Sequence, residues 1–215
     1  MKELMSLTMK EYGDMLAMDA PAPDGGSTAA LSGAYGAALG LKAAARTYGK
    51  DEWEAVVPHL QAGFKQAHEE LSVLRASLDR QVDADTAARD AFQTAKRMPR
   101  ETAEQETARK TAMNIASVRI LTVPLNTAEH CLSVLQHLPE LASCANRDSL
   151  AEVGTGAALA LAGLEGALLS VRINLPGIPS AKQRNELAEQ AERMWEQGCE
   201  VKEETVTALF IRMTA

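Results

Sequence analysis

The sequence predicts an all-α fold, an elongated helical bundle of about seven helices. Three observations carry that expectation. Aromatic residues make up 4 % of the 215 residues and alanine is abundant, which disfavours a sandwich or barrel and suits helices. Capping-box signatures recur at Thr8-x-x-Glu11, Asp51-x-x-Glu54, Ser149-x-x-Glu152 and Ser180-x-x-Gln183. Each precedes apolar residues spaced three to four apart, and no segment sustains the alternation of a strand.

Taken in order, the helices are expected near 8–19, 27–48, 51–97, 102–121, 125–142, 149–175 and 180–212. Breaks are expected at Pro21–Gly26, Tyr48-Gly49, Pro99, Pro124, Pro139–Asn146 and Pro176–Pro179. The segment 51–97 would reach ~70 Å as one straight helix at ~1.5 Å per residue. It therefore either kinks, at Pro58 or around Val82–Asp85, or belongs to an elongated molecule. Two helices are rich in small residues: AALSGAYGAALG at 29–40 and GTGAALALAGLEGA at 154–167. Glycine weakens an isolated helix, so close helix–helix contact is the expected compensation, with these two as a central pair.

One domain over 1–215 is the default at this length, and 46 % hydrophobic residues suffice for a core. The net charge of −7 disfavours a nucleic-acid partner. Cys131, Cys144 and Cys199 are odd in number and form no C-x-x-C, so neither a disulfide framework nor a zinc ribbon is expected. The acidic residues among MKELMSLTMKEYGDML do not suit a secretory signal, and the uncharged runs are short of the roughly 20 residues of a spanning helix. A cytoplasmic protein without a membrane span is the expectation.

Candidate chemistry is sparse. Pro21–Ser27 precedes a helix, whose N-terminal amides suit a carboxylate or phosphate, although Asp24 opposes an anion at that spot. Asp83 and Asp85 are two apart, so a helix would point them to different faces, one toward a pocket and one toward solvent. A buried carboxyl of this kind could move protons near neutral pH. His59, His68, His130 and His137 lack metal-ligand spacing, so no metal site is expected. No P-loop, nucleophile elbow or dinucleotide fingerprint occurs. Arg172-Ile173-Asn174 places a guanidinium and an amide in an otherwise apolar helix, where they suit a carboxylate or simply end the helix.

The order PAPDGGSTAALSGAYGAALG, TYGK, VDAD, KRMPRET, VPLNTAE, SVRINLPGI resembles the cyclodeaminase domain of formiminotransferase-cyclodeaminase, from about Leu7 to Ile178. That family includes free-standing bacterial proteins, some of them methenyltetrahydrofolate cyclohydrolases. The resemblance implies an all-α dimer that binds a folate without a metal or other cofactor. It implies that Pro23, Gly25, Gly26 and Ser27 match the family's Pro-Gly-Gly-Gly-Ser loop. Asp85 then matches the proposed catalytic aspartate of V-D-x-D, and Arg172 and Asn174 match N-V-x-I-N. Arg172 and Lys50 are the candidates for the carboxylates of the folate glutamate tail. The activity so implied is formimidoyltetrahydrofolate cyclodeamination, with cyclohydrolysis as the alternative and a non-catalytic folate-binding dimer as a second one. Four segments depart from the family pattern: Asp24 replaces the first loop glycine, Ala151-Glu152 replaces Ser-Asp, Ser170 replaces the first Asn, and Ala87-Ala88-Arg89 replaces Glu-Ala-Phe.

Overall fold

A computed structural model describes residues 3–214. Seven α-helices follow in order: α1 (Met9–Leu16), α2 (Gly25–Thr47), α3 (Asp51–Glu54), α4 (Pro58–Arg97), α5 (Ala103–Cys144), α6 (Leu150–Asn174) and α7 (Ala181–Thr214). Short 3-10 turns lie at Leu4–Ser6, Arg147–Ser149 and Leu175–Gly177, and there is no strand among the described residues.

Seven helices were expected, but they are not the same seven. The segment 51–97 breaks at Ala55–Val57, so that Pro58 opens α4 at a position where its missing N–H costs nothing. Helix continues through Val82–Asp85, and α4 runs 40 residues, or ~60 Å. The expected break at Pro124 does not occur, and the one expected over Pro139–Asn146 comes at its far end, at Ala145-Asn146. Both prolines sit inside the 42-residue α5, where each removes one backbone hydrogen bond. Burial of Pro124, Val123, Ala128, Leu132 and Leu135 along the same helix outweighs that loss.

Capping chemistry was legible in part. Thr8 and Glu11 form the expected box on α1. Asp51 is instead the first residue of α3, behind Lys50 as N-cap, and Ser149 makes no side-chain cap on α6. Two boxes not foreseen, Asp24 with Ser27 and Thr102 with Gln105, start α2 and α5.

The small-residue helices are the central pair, as expected. A Cβ on Gly36 would stand 2.8 Å from the Gly156 carbonyl oxygen, and one on Gly163 would stand 2.7 Å from that of Ala29. The two helices therefore run antiparallel with backbones nearly touching, and Ser32 donates a hydrogen bond across to the Leu159 carbonyl at 2.8 Å. Contacts between Gly33 and Leu78, and Gly40 and Leu71, set α4 antiparallel on another face of α2. Leu71, Leu78, Leu135, Leu138, Leu164 and Val153 fill the core between α2, α4, α5 and α6. α7 lies over α5 and α6. The stretch Arg147–Gly177 around α6 is, by length and composition, apolar enough to cross a membrane, contrary to the sequence expectation. In this fold α6 packs against α2, α5 and α7.

Candidate active site

The N-terminus of α2 meets the middle of α4 at Gly26 and Asp85. Gly26 is buried, and a Cβ there would overlap the Asp85 carboxylate. Only hydrogen at this position allows the carboxylate to lie on the first turn of α2. The end of α6 and the middle of α5 complete the surroundings. Asp85, Ala88, Arg89, Ile120, Pro124, Ser170, Ile173 and Asn174 line a cavity of about 160 Å³. That volume suits the reacting end of a ligand rather than the whole of a drug-sized one. Pro124 offers no N–H to the Ile120 carbonyl one turn earlier, which leaves an acceptor on the α5 wall.

Asp85 is 12 % exposed, and its Oδ2 is buried without a hydrogen-bond partner. Burial pushes its carboxyl above the ordinary aspartate value, while the Ser27 amide pulls the other way. Asp83 points elsewhere, as helical geometry requires. Its Oδ1 accepts the Leu4 amide at 2.6 Å and so fastens the N-terminal turn to α4. Tyr12 of α1 adds a second brace, sharing a hydrogen bond with Thr28 at 3.1 Å on the first turn of α2.

The glycine loop behaves differently from an open anion cradle. The Asp24 side chain accepts from the Gly26 and Ser27 amides at 3.0 and 3.2 Å, and Ser27 Oγ accepts from the Asp24 amide at 2.9 Å. The helix N-terminus is thus satisfied from within, by a carboxylate that also matches its dipole. Pro23, Gly26 and Ser27 are buried beneath this turn, and Gly25 is exposed at its outer edge. Asn174 ends α6 in the cavity wall, donating to the Ser170 carbonyl at 2.7 Å.

Two residues expected to bind a ligand fall away from Asp85. Arg172 points into a separate groove between α6 and α7, where it pairs with Glu192 at 2.5 Å beside Trp195 and Leu169. Arg172 is the residue just before Ile173 of the cavity wall, and a turn of ~100° per residue carries its side chain around the helix. Lys50 lies beyond the opposite end of α2, ~35 Å from its start at 1.5 Å per residue.

Arg89 was not singled out as a site residue. It lies one helical turn after Asp85 on the same face of α4, a spacing visible in the sequence. It forms an ion pair with Asp24, donates to the Pro21 carbonyl at 3.0 Å, and approaches Asp85 Oδ2 at 4.0 Å.

Among the described residues no three His, Cys, Asp or Glu side chains come together in a metal-holding group. Cys131 sits against Gly33 and Gly163 in the core, and burial pushes its thiol up to about 12, so it is no nucleophile. Asp85 is thus the carboxyl that lines this cavity, its pKa raised by burial, in an all-α protein with a carboxyl on a helix N-terminus.

Comparison with known proteins agrees with the all-α fold. The family model described as formiminotransferase-cyclodeaminase matches residues 8–193, and the chain belongs to this family. It is 33 % identical over 171 residues to a methenyltetrahydrofolate cyclohydrolase of Methylorubrum extorquens, covering 80 % of each chain. It is also 33 % identical over 157 residues to the formimidoyltransferase-cyclodeaminase of Sus scrofa, spanning 28 % of that longer protein. The crystal structure of a formiminotetrahydrofolate cyclodeaminase from Thermotoga maritima superimposes with a TM-score of 0.80 at 21 % identity, covering 96 % of this chain and 98 % of that one. That likeness establishes the shared fold.

Proposed function

We propose that the chain is an enzyme of folate one-carbon metabolism that moves protons while a bond is exchanged at the carbon between N5 and N10 of tetrahydrofolate. The observation that carries this reading is Asp85: a buried carboxyl with an unpartnered oxygen facing a cavity. Such a group can accept a proton and return it within one turnover.

The first reading is methenyltetrahydrofolate cyclohydrolase, supported by the similarity to the Methylorubrum enzyme over 80 % of both chains. Water adds to the methenyl carbon and loses a proton to Asp85. The bond from that carbon to N5 then breaks, N5 takes that proton back from Asp85, the remaining hydroxyl proton leaves to solvent as the C=O forms, and the formyl group stays on N10. Asn174 and Ser170 line the cavity in which the water would attack and the nitrogen would leave. The second reading, supported by the cyclodeaminase relatives, is formimidoyltetrahydrofolate cyclodeaminase. There N10 attacks the carbon of the protonated formimidoyl group and gives its proton to Asp85, which returns it to the amino group so that ammonia departs and the methenyl cation remains. Both reactions use the same carboxyl, with no metal or separate cofactor. A cytoplasmic homodimer is the state in which we expect the enzyme to work.

The test is a steady-state assay with each substrate, wild type beside Asp85→Asn and Asp83→Asn. Hydrolysis consumes the methenyl chromophore, whereas deamination creates it and releases ammonia. Asp85→Asn should bind folate and lose about 10²-fold or more in turnover, the usual scale of acid–base catalysis. Asp83→Asn should lose less. Folate binding without turnover of either substrate by the wild type would support a non-catalytic binding protein instead.

A further inference from the structure

Two of the positions that depart from the family pattern meet in space. Asp24 stands on the N-cap of α2 and Arg89 on α4, 65 residues later, and their side chains form an ion pair at the edge of the Asp85 cavity. A second bond, to the Pro21 carbonyl at 3.0 Å, fixes the guanidinium from the same loop. So held, Arg89 stands 4.0 Å from Asp85 Oδ2, the oxygen without a hydrogen-bond partner.

We propose that Arg89 is a positioning residue for Asp85, with Asp24 holding its charge at a set distance so that the pair determines the pH at which Asp85 exchanges its proton. This inference rests on the reading of Asp85 as the proton carrier. A guanidinium closer to Asp85 would hold it as a carboxylate and prevent it from returning a proton. Without any guanidinium, burial would hold the carboxyl's pKa higher still and make it a poorer proton acceptor. Asp24 takes up most of the positive charge and stops Arg89 from closing the last distance.

The surroundings leave few other charges to do this. On the α2 side Asp24 faces the site, with the Gly26 and Ser27 amides. On α4 there is Arg89, with Asp90 beside it acting on the guanidinium itself. α5 contributes Ile120 and Pro124, and α6 contributes Ser170, Ile173 and Asn174, none of which titrates. Desolvation weakens the hold of Arg89 on its own proton, yet a guanidinium stays charged at any pH of interest.

The experiment titrates Asp85 directly. Chain labelled with ¹³C at its aspartate carboxyls is followed by NMR against pH, with the Asp85 resonance identified by its loss in Asp85→Asn. Arg89→Gln should move the Asp85 midpoint to higher pH, and Asp24→Asn should move it to lower pH. Arg89→Lys, which keeps the charge, should stay near wild type. In the assay, the rate on the acid limb should fall about tenfold in Arg89→Gln, the effect of an opposite charge at this separation. Asn retains the N-cap of α2, so Asp24→Asn is suited to test the sign even where Arg89→Gln does not fold. Midpoints that stay at the wild-type pH in both variants, with thermal stability lost, would overturn the proposal and leave the pair a mechanical clasp. Midpoints that move in opposite directions while Asp85→Asn keeps full turnover would uphold Arg89 as the tuning charge and reject Asp85 as proton carrier.

Discussion

Asp85 is held where an ionised carboxyl is disfavoured, and that makes it a cost to the fold at neutral pH. Its folded-state pKa lies above the unfolded value because burial desolvates the charge. Between those two values the folded chain keeps a proton that the unfolded chain has released. Stability therefore falls as pH rises through that window and stays lower above it. Asp85→Asn carries no such charge. Its melting temperature should exceed wild type near neutral pH, by about 2–4 °C for each kcal/mol recovered in a chain of this size. The gap should close below about pH 4, where both states of the wild type are protonated. Thermal melts of the two proteins across pH check this, and a gap that persists unchanged in acid would contradict the burial argument. The separation of Asp85 from Asp83 was legible in the sequence, because two residues along a helix cannot share a face. The partner of Arg89 was not legible. Asp24 lies 65 residues away, and no local spacing predicts which end of α2 an α4 side chain will meet.

The glycines of α2 and α6 do two different jobs, which substitution separates. Gly36 and Gly163 face backbone atoms of the opposing helix at 2.8 and 2.7 Å from a would-be Cβ, and backbone cannot step aside. Gly36→Ala and Gly163→Ala should each destabilise by about 1–3 kcal/mol as overpacking, measured by denaturant melts. Gly25 meets nothing within 4 Å at such a Cβ. Gly25→Ala should be neutral in stability or slightly stabilising, since alanine is the better helix former. Equal effects at all three would remove the case for a backbone-to-backbone contact. This helix pair was readable from composition, because close helix–helix contact is the compensation that glycine in a helix calls for. The continuity of α5 was not. Local rules end a helix at Pro124, but they do not contain the burial of its neighbours against α2, α4 and α6, which outweighs one lost hydrogen bond. Joining two expected helices there, and dividing 51–97 ahead of Pro58, left the number of helices at seven by compensation.

At the scale of the molecule the four central helices do not end together. Gly26 marks the start of α2 at the level of Asp85, and Asn174 marks the end of α6 at the same level. α4 continues from there to Arg97 and α5 begins at Ala103, so the two form an antiparallel hairpin that outruns the bundle. Ala95 and Ala116 are buried within it, but Ile115 and Val118 are 61 % and 59 % exposed on one ridge of α5. A groove of about 370 Å³ flanks that ridge toward α4, and one of about 690 Å³ flanks it toward α7 and the Leu175–Gly177 turn. Two helices joined by a small-residue seam bury little apolar surface and are marginal alone. A second copy of the chain packed ridge into groove about a two-fold axis would cover both, with the same patch serving each partner. Sedimentation velocity should therefore show a dimer. The double variant Ile115→Asp/Val118→Asp should sediment as a monomer while keeping its helical circular dichroism, because both side chains lie outside the core. A wild type that sediments as a monomer at every concentration would refute the dimer. A charged double variant that stays dimeric would move the interface elsewhere, away from the hairpin.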